Sequence, residues 1–450
     1  MTDRNYMMAE RIASEAAKKG GRTFYVGGLV RDRLMGRENK DVDIEVHGID
    51  PSVLHEILEK LGKPIAMGAS FGVYGLKGYE IDIAMPRKET ATGRGHKDFD
   101  VFVDPYLGTE KAAIRRDFTI NAMMQDVLTG EIVDHFGGQE DLKEGVIRHV
   151  NDVTFAEDPL RVLRAAQFAA RFKFDVAPET IKLSSTMDLS ALACERIMGE
   201  LQKAFLKSDK PSVFFEVLFK MNQLGYWFPE ILTLKGVPQN VQHHPEGDVW
   251  NHTMMTLDAA ASFRSSASYP LGLMMSALVH DAGKSVATEV KDGEIHAYMH
   301  ETLGLPLVQK FLDRICNEVK LQRYVLNMTE QHMKPNMYYK DGAARKKYCK
   351  MFDESVCPDD LLLLSKADHF GRTDPSPYEE QEAFLRNELE VFKERMAQPF
   401  VQGRDLVEAG VRPGPEFHEA LLFAHKLRLA GVPKERALSQ TLAEFFRDKA

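Results

Sequence analysis

The chain has 450 residues, of which 44% are hydrophobic and 28% charged, an ordinary globular composition with room for about two to four domains. Its four cysteines form no C-x-x-C pair, which argues for free thiols and against a disulfide frame. A net charge of −9 argues against a long basic tail and tight non-specific RNA binding, while leaving room for a local basic patch.

Residues 1–21 read as an amphipathic helix of mixed charge rather than a signal peptide. The longest apolar run, around Leu271 to Val279, is too short for a bilayer. The expectation is therefore a soluble, cytoplasmic protein with no membrane partner. Nothing in the sequence fixes an oligomeric state.

Phe24-Tyr25-Val26 suits a strand, Gly27-Gly28 breaks it and opens a short helix, and Gly36 stops that helix. Asp41-Val42-Asp43-Ile44-Glu45-Val46 then alternates polar and apolar residues, so one face of the strand is buried and Asp41 and Asp43 point the same way. Two carboxylates so spaced suit Mg²⁺, and a Mg²⁺ pair serves in-line displacement at phosphorus. The Gly-Gly helix start offers backbone N–H groups to phosphates. On spacing alone, solvent-facing strand acids are an equal reading. The string GG-LVRD-RLMG followed by D-V-D resembles the head motif of the nucleotidyltransferase superfamily, which includes tRNA nucleotidyltransferases and bacterial poly(A) polymerases.

A helix is expected over 51–61, and Glu80-Ile-Asp82-Ile alternates again. By the resemblance a third carboxylate on a neighbouring strand completes the acidic cluster, with Asp82 the candidate and Glu80 second. Residues 87–114 are polar and glycine-bearing, and a mobile loop is expected there. The string RRDFTINAM at 115–123 resembles the family's second motif. It implies Arg116 on the triphosphate and Asp117 on the ribose, with Gly28 and Arg31 as further phosphate contacts. Asp134-His-Phe-Gly-Gly138 resembles the hinge between head and neck, with glycines that let the backbone pivot.

From 151 the pattern turns helical. Asp158 and Arg161 share one helix face, where an acceptor beside a fork of donors matches the base edges of CTP and ATP. Helix capping by Asp158 before Pro159, and a Thr154-x-x-Glu157 capping box, are the structural alternatives. EDPLRVLRAA resembles the family's amino-acid template for nucleotide selection. That implies base pairing by Asp158 and Arg161 and a nucleotide contact for Arg164, whereas Gln167 departs from an arginine in many relatives. Glu195 to Glu200 resembles the neck motif that buttresses this helix.

Between 236 and 375 come His252, His280-Asp281, His300, His332 and Asp368, on segments that read as helices. Their order, and the His-Asp-Ala-Gly-Lys284 string, resemble the HD metal-dependent phosphohydrolase domain, with Lys284 available to a phosphate. Imidazole with carboxylate suits Mn²⁺, Ni²⁺ or Fe²⁺. Gln402 to Pro415 resembles the tail segment of HD-bearing tRNA nucleotidyltransferases. It would either present backbone N–H groups to RNA or serve as a turn between packed helices.

The chain as a whole thus resembles the HD-bearing bacterial form of the class II tRNA nucleotidyltransferase and poly(A) polymerase family. The expected fold is α+β: a mixed-sheet nucleotidyltransferase head (1–150), then an all-α neck (151–235), an HD domain (236–375) and a helical C-terminal tail (376–450). The implied activity is template-independent addition or repair of CCA at the tRNA 3′ end from CTP and ATP, with Mg²⁺ at Asp41 and Asp43 and an accessory phosphohydrolase. A poly(A) polymerase, a C-only or A-only enzyme, and an HD phosphohydrolase with a nucleotide-binding front remain as alternatives.

Overall fold

A computed structural model describes residues 2–39, 41–68, 73–91, 99–242 and 244–446. The chain divides into two compact units, Met1–Ala204 with Val213–Tyr226, and Phe205–Ser212 with Trp227–Ala450.

The first unit is built on a sheet of seven strands in the order β3-β4-β5-β2-β1-β8-β9. These are β1 (Arg22–Val26), β2 (Val42–His47), β3 (Pro64–Gly68), β4 (Val73–Leu76), β5 (Ile81–Ala84), β8 (Met124–Asp126) and β9 (Ile132–Val133). The pair β2–β5 is parallel and the others antiparallel, which makes the sheet mixed as expected. Val42, Ile44, Val46, Ile81 and Ile83 turn to one face. There they pack with Met8, Ile12 and Ala16 of helix α1 (Thr2–Ala17) and with Leu54, Ile57 and Leu58 of helix α3 (Pro51–Leu61). Two helices on one face leave the alternate side chains, the acids, on the other.

Between β1 and β2 sits helix α2 (Gly28–Leu34), entered through Gly27 at φ 67°, ψ −135°, a backbone state that glycine alone adopts without strain. Behind the head, Asn151 caps Asp152–Ala156 by accepting from Val153 N and Thr154 N, so the Thr154–Glu157 box is not used. The helix Leu160–Phe172 follows.

One expectation changes. Residues 87–114 are not one loop: β6 (Arg87–Ala91) and β7 (Phe99–Val103) form an antiparallel ribbon, and Thr109–Ala113 is a helix. The ribbon's base is tied by Lys88 to Asp104 at 2.8 Å and by Asp104 N to the Pro86 carbonyl. Residues 92–98, to which the mobile-loop expectation also applied, lie outside the described residues. Within the segment expected to be a hinge, Gly137 takes a left-handed backbone (φ 76°) with open space around it, while Gly138 is closely packed. A Cβ on Gly138 would meet the Thr119 carbonyl oxygen, and Asp134 accepts from the N–H groups of Phe136, Gly138 and Gln139.

The second unit is helical. Helix Pro270–Val279 packs against Val249–Phe263, Val319–Gln331 and Pro358–Phe370. Further on, Gly403–Glu408, Glu416–Leu429 and Lys434–Phe445 share a small core of Leu406, Ala420, Ala424, Ala437 and Phe446. The stretch Gly410 to Pro415 is the turn between two of these helices, with Gly410 at φ 90°. Among the described residues no helix is long and apolar enough to cross a membrane.

Candidate functional site

In the first unit the parallel pairing sets Asp43 opposite Asp82. Asp41, Asp43, Glu80 and Asp82 line one cavity of about 380 Å³. Asp43 is half-buried; burial, together with the charges of Asp82 and Asp41, raises its pKa against the opposing pull of Arg116. A carboxylate held up by its neighbours' negative charge is a group that a cation would relieve. The all-oxygen donor set of Asp41, Asp43 and Asp82 fits Mg²⁺.

Glu45, the next residue on this strand face, was not among the expected site residues. Its side chain is 1% exposed and takes the His47 imidazole at 2.8 Å, with the guanidiniums of Arg115 and Arg116 each at 3.8 Å. Burial alone would raise this acid, but the His47 hydrogen bond and the two arginine charges outweigh it and hold the pKa at about 2. Glu45 thus anchors Arg116 on the acidic side of the sheet, where a Cβ on Gly27 would meet the Arg116 Nη1 at 3.4 Å. The same alternation that pointed to Asp41 and Asp43 would have revealed it.

Arg31 faces inward. Its Nε and Nη2 donate to Asp32, Nη1 donates to Asn121 at 2.6 Å, and the guanidinium lies over the rings of Phe168 and Phe172. Gly28 begins α2 directly above this fork, 3.3 Å from Nη2 for an added Cβ. Asn121 donates in turn to Asp117, whose other oxygen accepts from Arg164 Nε at 2.8 Å and Nη2 at 2.6 Å. Asp117 and Arg164 therefore address each other. Burial pushes Asp117 up, but Arg164 and Asn121 bring it below the usual carboxylate range.

Asp158 and Arg161 sit together at the start of helix Leu160–Phe172 without pairing. Asp158 accepts from Leu160 N at 3.1 Å, the cap considered from sequence, and from Arg196 at 3.0 Å. Arg161 donates to the carbonyls of Thr154 and Arg115, which ties the helix to the RRDFTINAM segment.

In the second unit all six expected residues converge. His252, His280, His300 and His332 are buried, as are Asp281 and Asp368. His252 Nε2 lies 3.0 Å from Asp368 and 3.4 Å from His280 Nε2; His300 Nε2 lies 3.0 Å from Asp281 and 3.4 Å from His332 Nε2. His252 and His280 approach one oxygen of Asp281, while His300 and His332 approach the other.

The Nδ1 atoms of His252, His280, His300 and His332 lie 2.6–3.0 Å from the carbonyls of Gly371, Ala277, Ala297 and Thr329. A carbonyl only accepts, so each Nδ1 carries hydrogen and each Nε2 is aimed at the cluster, where a cation that displaces its proton would find a ligand. Burial opposes charge on His252, but Asp368 and Glu246 on its two nitrogens outweigh it and raise the pKa to about 9. A place that favours positive charge there suits a divalent cation as well, and two overlapping residue groups meet at Asp281. Lys284 Nζ lies 2.7 Å from Asp281 and donates to Gln239. Both face a cavity of about 180 Å³ with His244, His296 and Arg372. The spacing of distant histidines did not disclose Gln239, His244, Glu246 or Arg372.

Residues 23–148 match the model of the poly A polymerase head domain, and the relatives that follow make the chain a nucleotidyltransferase by class. A multifunctional CCA protein of Actinobacillus pleuropneumoniae serotype 5b (strain L20) is 38% identical over 365 residues, 78% of this chain and 85% of that protein. One from Pseudomonas fluorescens (strain Pf-5) is 36% identical over 413 residues, 89% and 96% of the two chains. The chain belongs to the family of the multifunctional CCA proteins. In fold it is similar to the Thermotoga maritima CCA-adding enzyme complexed with tRNA-CCA, at 20% identity and TM-score 0.64 over 98% of this chain and 94% of that one. It is likewise similar to the Bacillus stearothermophilus CCA-adding enzyme in complex with CTP, at 21% identity and TM-score 0.68 over 98% and 97%.

Proposed function

We propose that the chain adds or repairs the 3′-terminal CCA of tRNA from CTP and ATP without a nucleic-acid template. One observation carries this: Asp41, Asp43 and Asp82 gather on neighbouring strands around a cavity, in a head matched by the poly A polymerase model. Mg²⁺ held by Asp41 and Asp43 would supply electrostatic stabilisation of the triphosphate and of the attacking tRNA 3′-hydroxyl. Arg116, steadied by Glu45, faces the same side and would bind phosphate oxygens. Asp117 and Arg164 would open their mutual pair to meet the sugar and the base. Asp158 and Arg161, held at one helix start, would read the base edge. Arg31, turned onto Asp32 and Asn121, acts through position: it braces Gly28 and the Asn121–Asp117 link.

A second activity is favoured by the histidine–aspartate cluster. His252, His280, Asp281, His300, His332 and Asp368 would hold one or two of Mn²⁺, Ni²⁺ or Fe²⁺, which supply Lewis-acid chemistry for phosphoester hydrolysis. Lys284 and Arg372 would neutralise the phosphoryl oxygens at the mouth.

The test of the head is substitution of its acids. Asp41→Ala and Asp43→Ala are expected to abolish incorporation of labelled ATP and CTP into tRNA while melting within a few degrees of the parent protein. Retained incorporation by either variant would remove the acidic site from the chemistry.

A further inference from the structure

The segment His244-Pro-Glu246 falls outside the ligand pattern yet touches it. The Glu246 side chain is 1% exposed, and its Oε1 lies 2.8 Å from His244 Nδ1 and 2.9 Å from His252 Nδ1. Its Oε2 is buried without a hydrogen-bond partner. An ionised carboxylate only accepts, so both Nδ1 atoms donate to it, that of His252 sharing its hydrogen with the Gly371 carbonyl, and each ring is left its Nε2 for a further partner. For His252 that nitrogen faces Asp368. The His244 ring stands edge-on to His252, centroids 4.8 Å apart, and lines the cavity that also holds Asp281, Lys284, His300 and Asp368.

We propose that Glu246 positions His252 for cation binding, and that His244, fixed by the same carboxylate, offers its Nε2 to the phosphoester rather than to the cation. The role rests on the histidine–aspartate centre argued above. Carboxylates that hold the far nitrogen of a ligating imidazole orient the ring, fix its tautomer and raise its basicity. His244, Glu246 and His252 stand close enough to hold a cation themselves, but Glu246 already takes both Nδ1 atoms, which leaves the His244 Nε2 to the cavity it shares with Asp281 and Lys284.

The test is equilibrium dialysis of the full chain with NiCl₂ or MnCl₂ alone, followed by steady-state hydrolysis of p-nitrophenyl phosphate, with circular dichroism as the check on folding. Glu246→Ala is expected to weaken metal binding by about 10–100-fold. Glu246→Gln, which keeps the volume and one acceptor, is expected to lose less in the same direction, and it decides the matter if the alanine variant does not fold. His244→Ala is expected to keep the parental metal affinity and raise KM by about tenfold, the worth of one hydrogen bond. Parental metal affinity in a folded Glu246 variant overturns the positioning role, and loss of metal in His244→Ala overturns the division of tasks. If the parent protein takes up neither metal, the histidine–aspartate centre itself fails, which the dialysis distinguishes from failure of Glu246 alone.

Discussion

Asp43 lies under electrostatic pressure: half-buried, in register with Asp82 and two residues from Asp41. Replacing it by asparagine removes a like-charge repulsion as well as a cation ligand. Asp43→Asn is accordingly expected to raise or leave unchanged the melting temperature, measured without divalent cations, while nucleotide addition is lost. A marked fall would show that the side chain is there for packing.

Asp117 is the opposite case, a buried acid held below its ordinary range once Arg164 and Asn121 outweigh burial. A depressed pKa contributes stability above the unfolded value, near 3.9, and the contribution is lost as pH falls through the folded value. Asp117→Asn should cost about 3 kcal/mol at pH 7, and the gap from the parent protein should close as pH drops below about 4. Denaturant melts across that range check the sign. Asp117 was visible in RRDFTINAM, but its commitment to Arg164 was not, because a pairing 47 residues apart leaves no local trace.

At the level of elements, the sequence was legible wherever polar and apolar residues alternate at an element's own period or a glycine or proline marks its end. Strand β2 and helices α2 and α3 fall where alternation, Gly-Gly and Pro51 put them. The ribbon β6–β7 was not legible, since it is a two-stranded pair apart from the main sheet, with Phe102 70% exposed, in a stretch whose polar and glycine residues read as loop. At Gly138 the sequence could not tell freedom from close approach, since glycine permits both and only the neighbouring Thr119 carbonyl discloses the second. His244 and Glu246 stand in a turn-rich stretch before the helix Val249–Phe263, where no periodicity marks a ligand. The helix Leu160–Phe172 carries its own prediction. Asp158 both caps it and accepts from Arg196, so Asp158→Ala should destabilise the unit by about 1 kcal/mol. It should also blur the preference for CTP and ATP over UTP and GTP more than it slows addition. Competition among the four triphosphates measures this, and unchanged selectivity would take Asp158 out of base reading.

At the scale of the molecule, the two units gather different sets of donor groups. One arrays carboxylates along a mixed sheet, where oxygen ligands and arginines suit triphosphates. The other buries imidazoles among helices, where nitrogen and oxygen together suit transition metals. Both patterns could be read in sequence because chemistry constrains residue type at fixed intervals, whereas what braces them is set by packing. Kinship with the multifunctional CCA proteins extends across both units, with 89% of this chain aligned to the Pseudomonas fluorescens protein. The most direct measurement is extension of a tRNA that ends at its discriminator base, with CTP, ATP or both, sized to one nucleotide. Two additions with CTP alone, then a third and a halt once ATP is present, are the predicted result. An unbounded ladder of A, or no extension, would contradict it.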